Sequence, residues 1–220
     1  MSNNKHLRGL YAITDNKFIK ANEFLNKVEL AIIGGAKIIQ YRDKSKNYQL
    51  RFEQAQALSL LCHKYQIPLI INDDVALAQK VGADGVHLGK DDADISNARA
   101  LLGEQAIIGI SCYNQLSLAL DAVKAGANYV AFGRFFNSAT KPNAIECSIE
   151  ILRDASKKLK CPLVAIGGIT PNNGEKLIKA GADCLAVIHG LFGQTDVTAA
   201  AQKYAKICTH SRDKACLVST

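Results

Sequence analysis

Four Gly-Ala steps punctuate this chain: GGAK at 34–37, VGAD at 81–84, AGAN at 125–128 and AGAD at 180–183. Each follows a stretch of helical period and precedes a short apolar run, where a glycine stops a helix in the left-handed conformation. They mark a repeated unit, because β-branched runs and helical patterns alternate almost from end to end. The runs LYAIT, KIIQY, PLIIN, GVHL, AIIGIS, YVAFG, PLVAIG and CLAVI predict eight strands. Helices are predicted between them, as in EFLNKVELAII, YQLRFEQAQALSLLCHKY, SLALDAVKA and NGEKLIKA. The strands are apolar on both faces, as in a parallel sheet covered by helices. Eight such units within 220 residues predict a single-domain α/β fold, a closed (β/α)8 TIM barrel, with a doubly wound open sheet as the weaker alternative.

No linker or charge block divides the chain, so the barrel is expected over 1–210, with 211–220, SRDKACLVST, as a loosely held tail. The start MSNNKHLRGL lacks an apolar signal core, and no run approaches the ~20 residues that span a bilayer. A soluble cytoplasmic protein without a membrane partner is expected. Seven cysteines form no CxxC pair and are odd in number, which argues against a zinc site or a disulfide framework. They read as small core residues. The formal charge of +7 is spread over scattered lysines rather than gathered beside stacking aromatics. Most of that charge reads as solvated surface and no nucleic acid is expected, while a small anionic substrate and a homo-oligomer are left open.

In such a barrel the chemistry sits at the carboxyl ends of the strands. Read in order, those ends carry Thr14 and Asp15; Gln40, Arg42 and Lys44; Asn72, Asp73 and Asp74; Gly89, Lys90, Asp91 and Asp92; Ser111; Ser138, Thr140 and Lys141; Gly167 and Gly168; His189 and Gly190. Cations from separate loops converge with carboxylates, an arrangement that a polyanionic ligand and a divalent metal together would relieve. Magnesium takes one or two carboxylates plus substrate phosphates, and Asp73 and Asp92 on adjacent strand ends fit that description. Asp74 and Asp91 read as caps of the helices that follow, and Asp84, before its strand, belongs to the opposite rim. His87, between Val86 and Leu88, reads as a satisfied core histidine in preference to a proton shuttle. The connection RFFNSATKPNAIEC, 134–147, is long enough to suggest a functional loop. AIGGITPNN places two glycines ahead of a proline-started helix, leaving amides for an anion.

At IQYRDK, INDDVALA, GADGVHLGKDD, IGIS, SATKP and AIGGI, in that order and spacing, the chain resembles the thiamine-phosphate synthases over nearly its whole length. The resemblance implies a TIM barrel that joins hydroxymethylpyrimidine pyrophosphate to hydroxyethylthiazole phosphate, with magnesium as cofactor and pyrophosphate released. It implies that Gln40, Arg42, Lys44, Asn72, Ser111 and Lys141 hold the pyrimidine pyrophosphate, with Tyr41 and Asp43 inside the same binding motif. Arg42, Lys44, Ser111 and Lys141 would be the catalytic set, and Asp73 and Asp92 the metal ligands. Ser138, Ala139, Thr140, Gly168, Ile188 and His189 would frame the thiazole phosphate. Three places depart from the family pattern: His189 where serine is frequent, Arg134-Phe135-Phe136 in place of a Gly-Pro-aromatic run, and Asn137 in place of a proline. A related thiazole tautomerase would need a histidine after the fifth strand, where SCYNQ has none.

Overall fold

The computed structural model describes residues 7–89, 94–137 and 145–216, with side chains to residue 209. Parallel strands β1 (Gly9–Ile13), β2 (Ala36–Tyr41), β3 (Leu69–Asn72), β4 (Gly85–Leu88), β5 (Ile107–Tyr113), β6 (Tyr129–Phe132), β7 (Leu163–Ile166) and β8 (Cys184–Val187) pair in chain order. Because β1 pairs with both β2 and β8, the sheet closes on itself and has no edge. This is the (β/α)8 barrel, and closure excludes the doubly wound alternative. Helices α1 (Phe24–Ile33), α2 (Tyr48–Lys64), α3 (Val75–Val81), α4 (Ile95–Leu102), α5 (Leu116–Lys124), α6 (Glu150–Lys158) and α7 (Pro171–Lys179) follow successive strands. After β8 come the single turn α8 (His189–Phe192) and the long α9 (Val197–Cys216).

Both strand faces are buried, which is why no polar alternation appears in the sequence. On β1, Leu10 and Ala12 pack outward among the helices while Tyr11 and Ile13 point into the barrel. The inner layer also holds Ile38, Ile70, Tyr129, Ala131, Val164, Cys184 and Ala186. Large and small residues complement each other there. Gly109 lies opposite Tyr129 in register, and a Cβ on Gly109 would sit 1.9 Å from the Tyr129 ring. A glycine is what leaves room for that phenol.

The Gly-Ala steps act at the lower rim, opposite the expected site. Gly35, Gly82, Gly126 and Gly181 all take positive φ, ending α1, α3, α5 and α7 as the sequence predicts. The Asx residue after three of these steps then ties neighbouring strands together. Asp84 Oδ2 accepts from the Leu69 amide at 2.8 Å, Asn128 Oδ1 from Ile108 at 2.8 Å, and Asp183 Oδ2 from Leu163 at 3.0 Å. Thus β4, β6 and β8 each hold the start of the preceding strand, and Asp84 is structural as expected.

Helix α9 packs against α1, α7 and β1, over the seam where the barrel closes. A Cβ on Gly34 would lie 2.5 Å from Ala201, so the end of α1 lies directly against α9. Tyr204 Oη donates to the Ile169 carbonyl at 3.0 Å from a buried position. The helix continues through residue 210 as far as Cys216, and residues 217–220 of the expected tail lie outside the described residues. Cys62, Cys112, Cys147, Cys184 and Cys208 are buried and Cys161 is half-buried, in keeping with a packing role. Among the described residues no helix is long and apolar enough to cross a membrane.

Candidate active site

The ends of β1, β2 and β3 build a charged wall. Arg42 leaves β2 with its amide donating to Thr14 Oγ1 at 2.9 Å and its Nη1 donating to Asp15 Oδ2 at 2.7 Å. Asp15 is almost fully buried and its other oxygen accepts from the Lys17 amide at 3.0 Å. A buried carboxylate held this way fixes the guanidinium, since breaking such a pair strands a charge at a cost of about 3–5 kcal/mol. The two aspartates at the end of β3 divide. Asp73 adopts a left-handed φ of 62° and its amide donates to the His87 carbonyl at 2.8 Å. Its Oδ2 accepts from Asn72 Nδ2 at 2.6 Å and pairs with Lys44. Asp74 turns into α3, where it caps the Leu77 amide at 2.9 Å and pairs with Arg51 at 2.5 Å. The cap expected at Asp74 is present, whereas Asp91 lies outside the described residues. The start of α4 is capped by Asp94, which accepts from the Asn97 amide at 2.8 Å.

Below this wall runs a buried line of hydrogen bonds. Gln40 Nε2 meets Tyr11 Oη at 2.8 Å, Tyr11 Oη meets Tyr129 Oη at 2.8 Å, and Tyr129 Oη meets His87 Nδ1 at 2.9 Å. His87 Nε2 then meets Ser111 Oγ at 2.9 Å. His87 is satisfied, as the sequence suggests, but it also faces the cavity, while Val86 and Leu88 face the helices. Complete burial raises the phenols of Tyr11 and Tyr129 well above their ordinary range, so both stay protonated at neutral pH.

The opposite wall comes from the ends of β6, β7 and β8. Gly167 and Gly168 both have positive φ, and a Cβ on Gly168 would lie 2.3 Å from the Asn137 carbonyl oxygen. The 134–137 segment therefore lies directly over the glycine turn. Asn173 pins that turn from below, donating to the Gly168 carbonyl at 3.0 Å and accepting from the Thr170 amide at 2.8 Å. Arg134 Nη1 donates to Asn137 Oδ1 at 2.5 Å, and the Phe18 ring lies 4.9 Å from that of His189, the first residue of α8.

These walls enclose a cavity of about 290 Å³. Gln40, Arg42, Asn72, Ser111, Gly168, Ile188 and His189 from the expected set line it together. Lys44 and Asp73 form their ion pair beside Asn72. Two motif residues face elsewhere. Tyr41 packs on the helix side with its hydroxyl donating to Gln54 at 3.0 Å, because period two sends it opposite to Gln40. Asp43 Oδ1 is engaged by the Ser45 amide at 2.6 Å and Asn16 at 3.1 Å, which folds its own loop. Lys90, Asp92, Ser138, Ala139, Thr140 and Lys141 lie outside the described residues. Sequence reasoning passed over Tyr11, Tyr129 and the anchoring role of Asp15. A hydroxyl at an inward register position was the available signal for the two tyrosines.

Residues 10–191 match the family profile of thiamine monophosphate synthase. The chain is 55% identical over 198 residues to the thiamine-phosphate synthase of Nitrosococcus oceani, covering 90% of this chain and 91% of that protein. It is 53% identical over 198 residues to the thiamine-phosphate synthase of Marinobacter nauticus, covering 89% of each. Among solved structures, thiamine phosphate pyrophosphorylase from Pyrococcus furiosus superposes with a TM-score of 0.84 at 35% identity, covering 94% of this chain and 98% of that one.

Proposed function

The chain belongs to the thiamine monophosphate synthase family, and from that premise we propose how it makes thiamine monophosphate. A hydroxymethylpyrimidine pyrophosphate loses its pyrophosphate, and the ring nitrogen of a hydroxyethylthiazole phosphate captures the pyrimidine methylene carbon. The observation that carries this reading is the opposition of two anion-binding walls across one cavity. Arg42 and Asn72 line one side, next to the Lys44–Asp73 pair, and Gly167, Gly168, Ile188 and His189 line the other. Two phosphorylated substrates would thereby meet with the thiazole nitrogen and the pyrimidine methylene carbon between the walls.

The chain's own groups suit that chemistry. The electron-rich aminopyrimidine stabilises the cation left behind, so the demand on the protein is to stabilise charge on the departing pyrophosphate. Arg42 does this as a preorganised donor, held by Asp15, while Lys44 supplies an exposed ammonium paired with Asp73, and Lys141 is proposed to join them. Opposite, the turn at Gly167–Gly168 and the first amides of the single-turn α8 fit the phosphate position common after strands 7 and 8 of this fold. Ser138, Ala139 and Thr140 are proposed to complete that position.

Magnesium is proposed as cofactor, held by Asp73 and Asp92. Asp73 fits such a role, since its Oδ1 accepts no hydrogen bond from the described residues while Oδ2 is steadied by Asn72. A magnesium ion is typically bound by one or two carboxylates, water and substrate phosphates, so two aspartates would suffice. When bound, the metal would neutralise charge on the pyrophosphate. The test is pyrophosphate release with both substrates, with magnesium and then with chelator. Release that needs both substrates and stops with chelator is expected. Release without the thiazole phosphate would overturn the condensation, and release undiminished by chelator would overturn the metal.

A further inference from the structure

The line from Gln40 to Ser111 crosses the barrel floor through β2, β1, β6, β4 and β5, and with the Gln40 Nε2 facing Tyr11 its proton inventory allows one direction. Gln40 Nε2 is a donor, so Tyr11 Oη accepts there and its single proton must go to the other neighbour, Tyr129. Tyr129 therefore accepts from Tyr11, and its own proton goes to His87 Nδ1. With Nδ1 an acceptor, the ring proton sits on Nε2 and is donated to Ser111 Oγ. The Ser111 hydroxyl proton is then left for the cavity. With Gln40 Nε2 on Tyr11, reversing any later link would leave a completely buried phenol without an acceptor, at the cost of an unmade hydrogen bond.

We propose that Tyr11, Tyr129 and His87 are positioning residues which, through this one-way chain, present Ser111 to the cavity as a hydrogen-bond donor while Gln40 keeps its carbonyl oxygen as an acceptor. A donor and an acceptor on one floor match a ring nitrogen beside an exocyclic amine, the edge of an aminopyrimidine. That assignment of the edge rests on the function proposed above. The tautomer of His87 does not, since it follows from the chain's own hydrogen bonds.

The direct test is the ¹⁵N spectrum of the His87 ring in the substrate-free protein, assigned by comparison with His87→Gln. An Nε2–H tautomer is expected in the wild type, with loss of its dominance in Tyr129→Phe. An Nδ1–H tautomer in the wild type, or a tautomer indifferent to Tyr129→Phe, would overturn the proposal. The kinetic test is Tyr129→Phe with Tyr11→Phe beside it. The loss of one oriented hydrogen bond is expected to lower kcat/KM for the pyrimidine pyrophosphate by about tenfold. The KM for the thiazole phosphate should stay unchanged. Equal losses for both substrates would mean a merely structural chain. Should Tyr129→Phe fail to fold, the wild-type tautomer still decides. A correct tautomer with no condensing activity would count against the proposed function and leave the chain's direction standing.

Discussion

Asp73 shows how one residue's backbone decides its chemistry. Left-handed φ is uncommon outside glycine, and the short Asp and Asn side chains tolerate it best. That kink separates two consecutive carboxylates, one held at the rim with Lys44 and the other capping α3. Asp73→Asn keeps the shape and the φ while removing the charge. Turnover is therefore expected to fall by about a hundredfold, the scale of losing one preorganised charge-stabilising group. The melting temperature should hardly move. Steady-state kinetics with a thermal melt checks this, and a full rate at limiting magnesium would remove Asp73 from the metal site. The division between Asp73 and Asp74 was readable in sequence from the helix that Asp74 begins. The anchoring of Arg42 by Asp15 was not, because it joins two loops 27 positions apart.

Among the elements, the even strands β4, β6 and β8 share a device. The Asx that precedes each accepts the first or second amide of the strand before it. These bonds close the lower rim, away from the cavity, so stability and catalysis should separate there. Asp84→Ala is expected to cost about 1–3 kcal/mol, the price of leaving the Leu69 amide unpaired. Its kcat/KM should match the wild type. Urea titration and steady-state assays decide it, and a stability unchanged by the substitution would show the bond to be dispensable. The Gly-Ala steps were legible as helix stops, but the role of the following Asx was not. It depends on which strand lies alongside, which the repeat alone leaves open. In the same way the single turn α8 has no counterpart in the other units, and α9 takes the place of the eighth helix by filling the gap between α1 and α7.

For the molecule as a whole, burial of the thiols links stability to pH. Burial pushes Cys62, Cys112 and Cys208 up to about 12 and Cys147 up to about 11. In the unfolded chain a thiol ionises near pH ~8.5, so below that value both states hold the proton and stability is flat. Above it the unfolded state loses protons that the native state keeps, and stability falls as pH rises toward the native values. The urea midpoint should therefore drop steadily from about pH 9 to about pH 11. A constant midpoint over that window would mean that these thiols are not protected by the fold.

The sequence by itself determined the eight-stranded parallel barrel, its helix stops and the polar rim at the strand ends. Those follow from local periodicity and from glycine's access to positive φ, which need no knowledge of distant neighbours. Only the tertiary structure decided that Tyr11 and Tyr129 meet beneath the cavity, and that His87 links a phenol to Ser111. Those relations run across the barrel, between strands that closure brings face to face, and their distances are set by the packing of the inner layer.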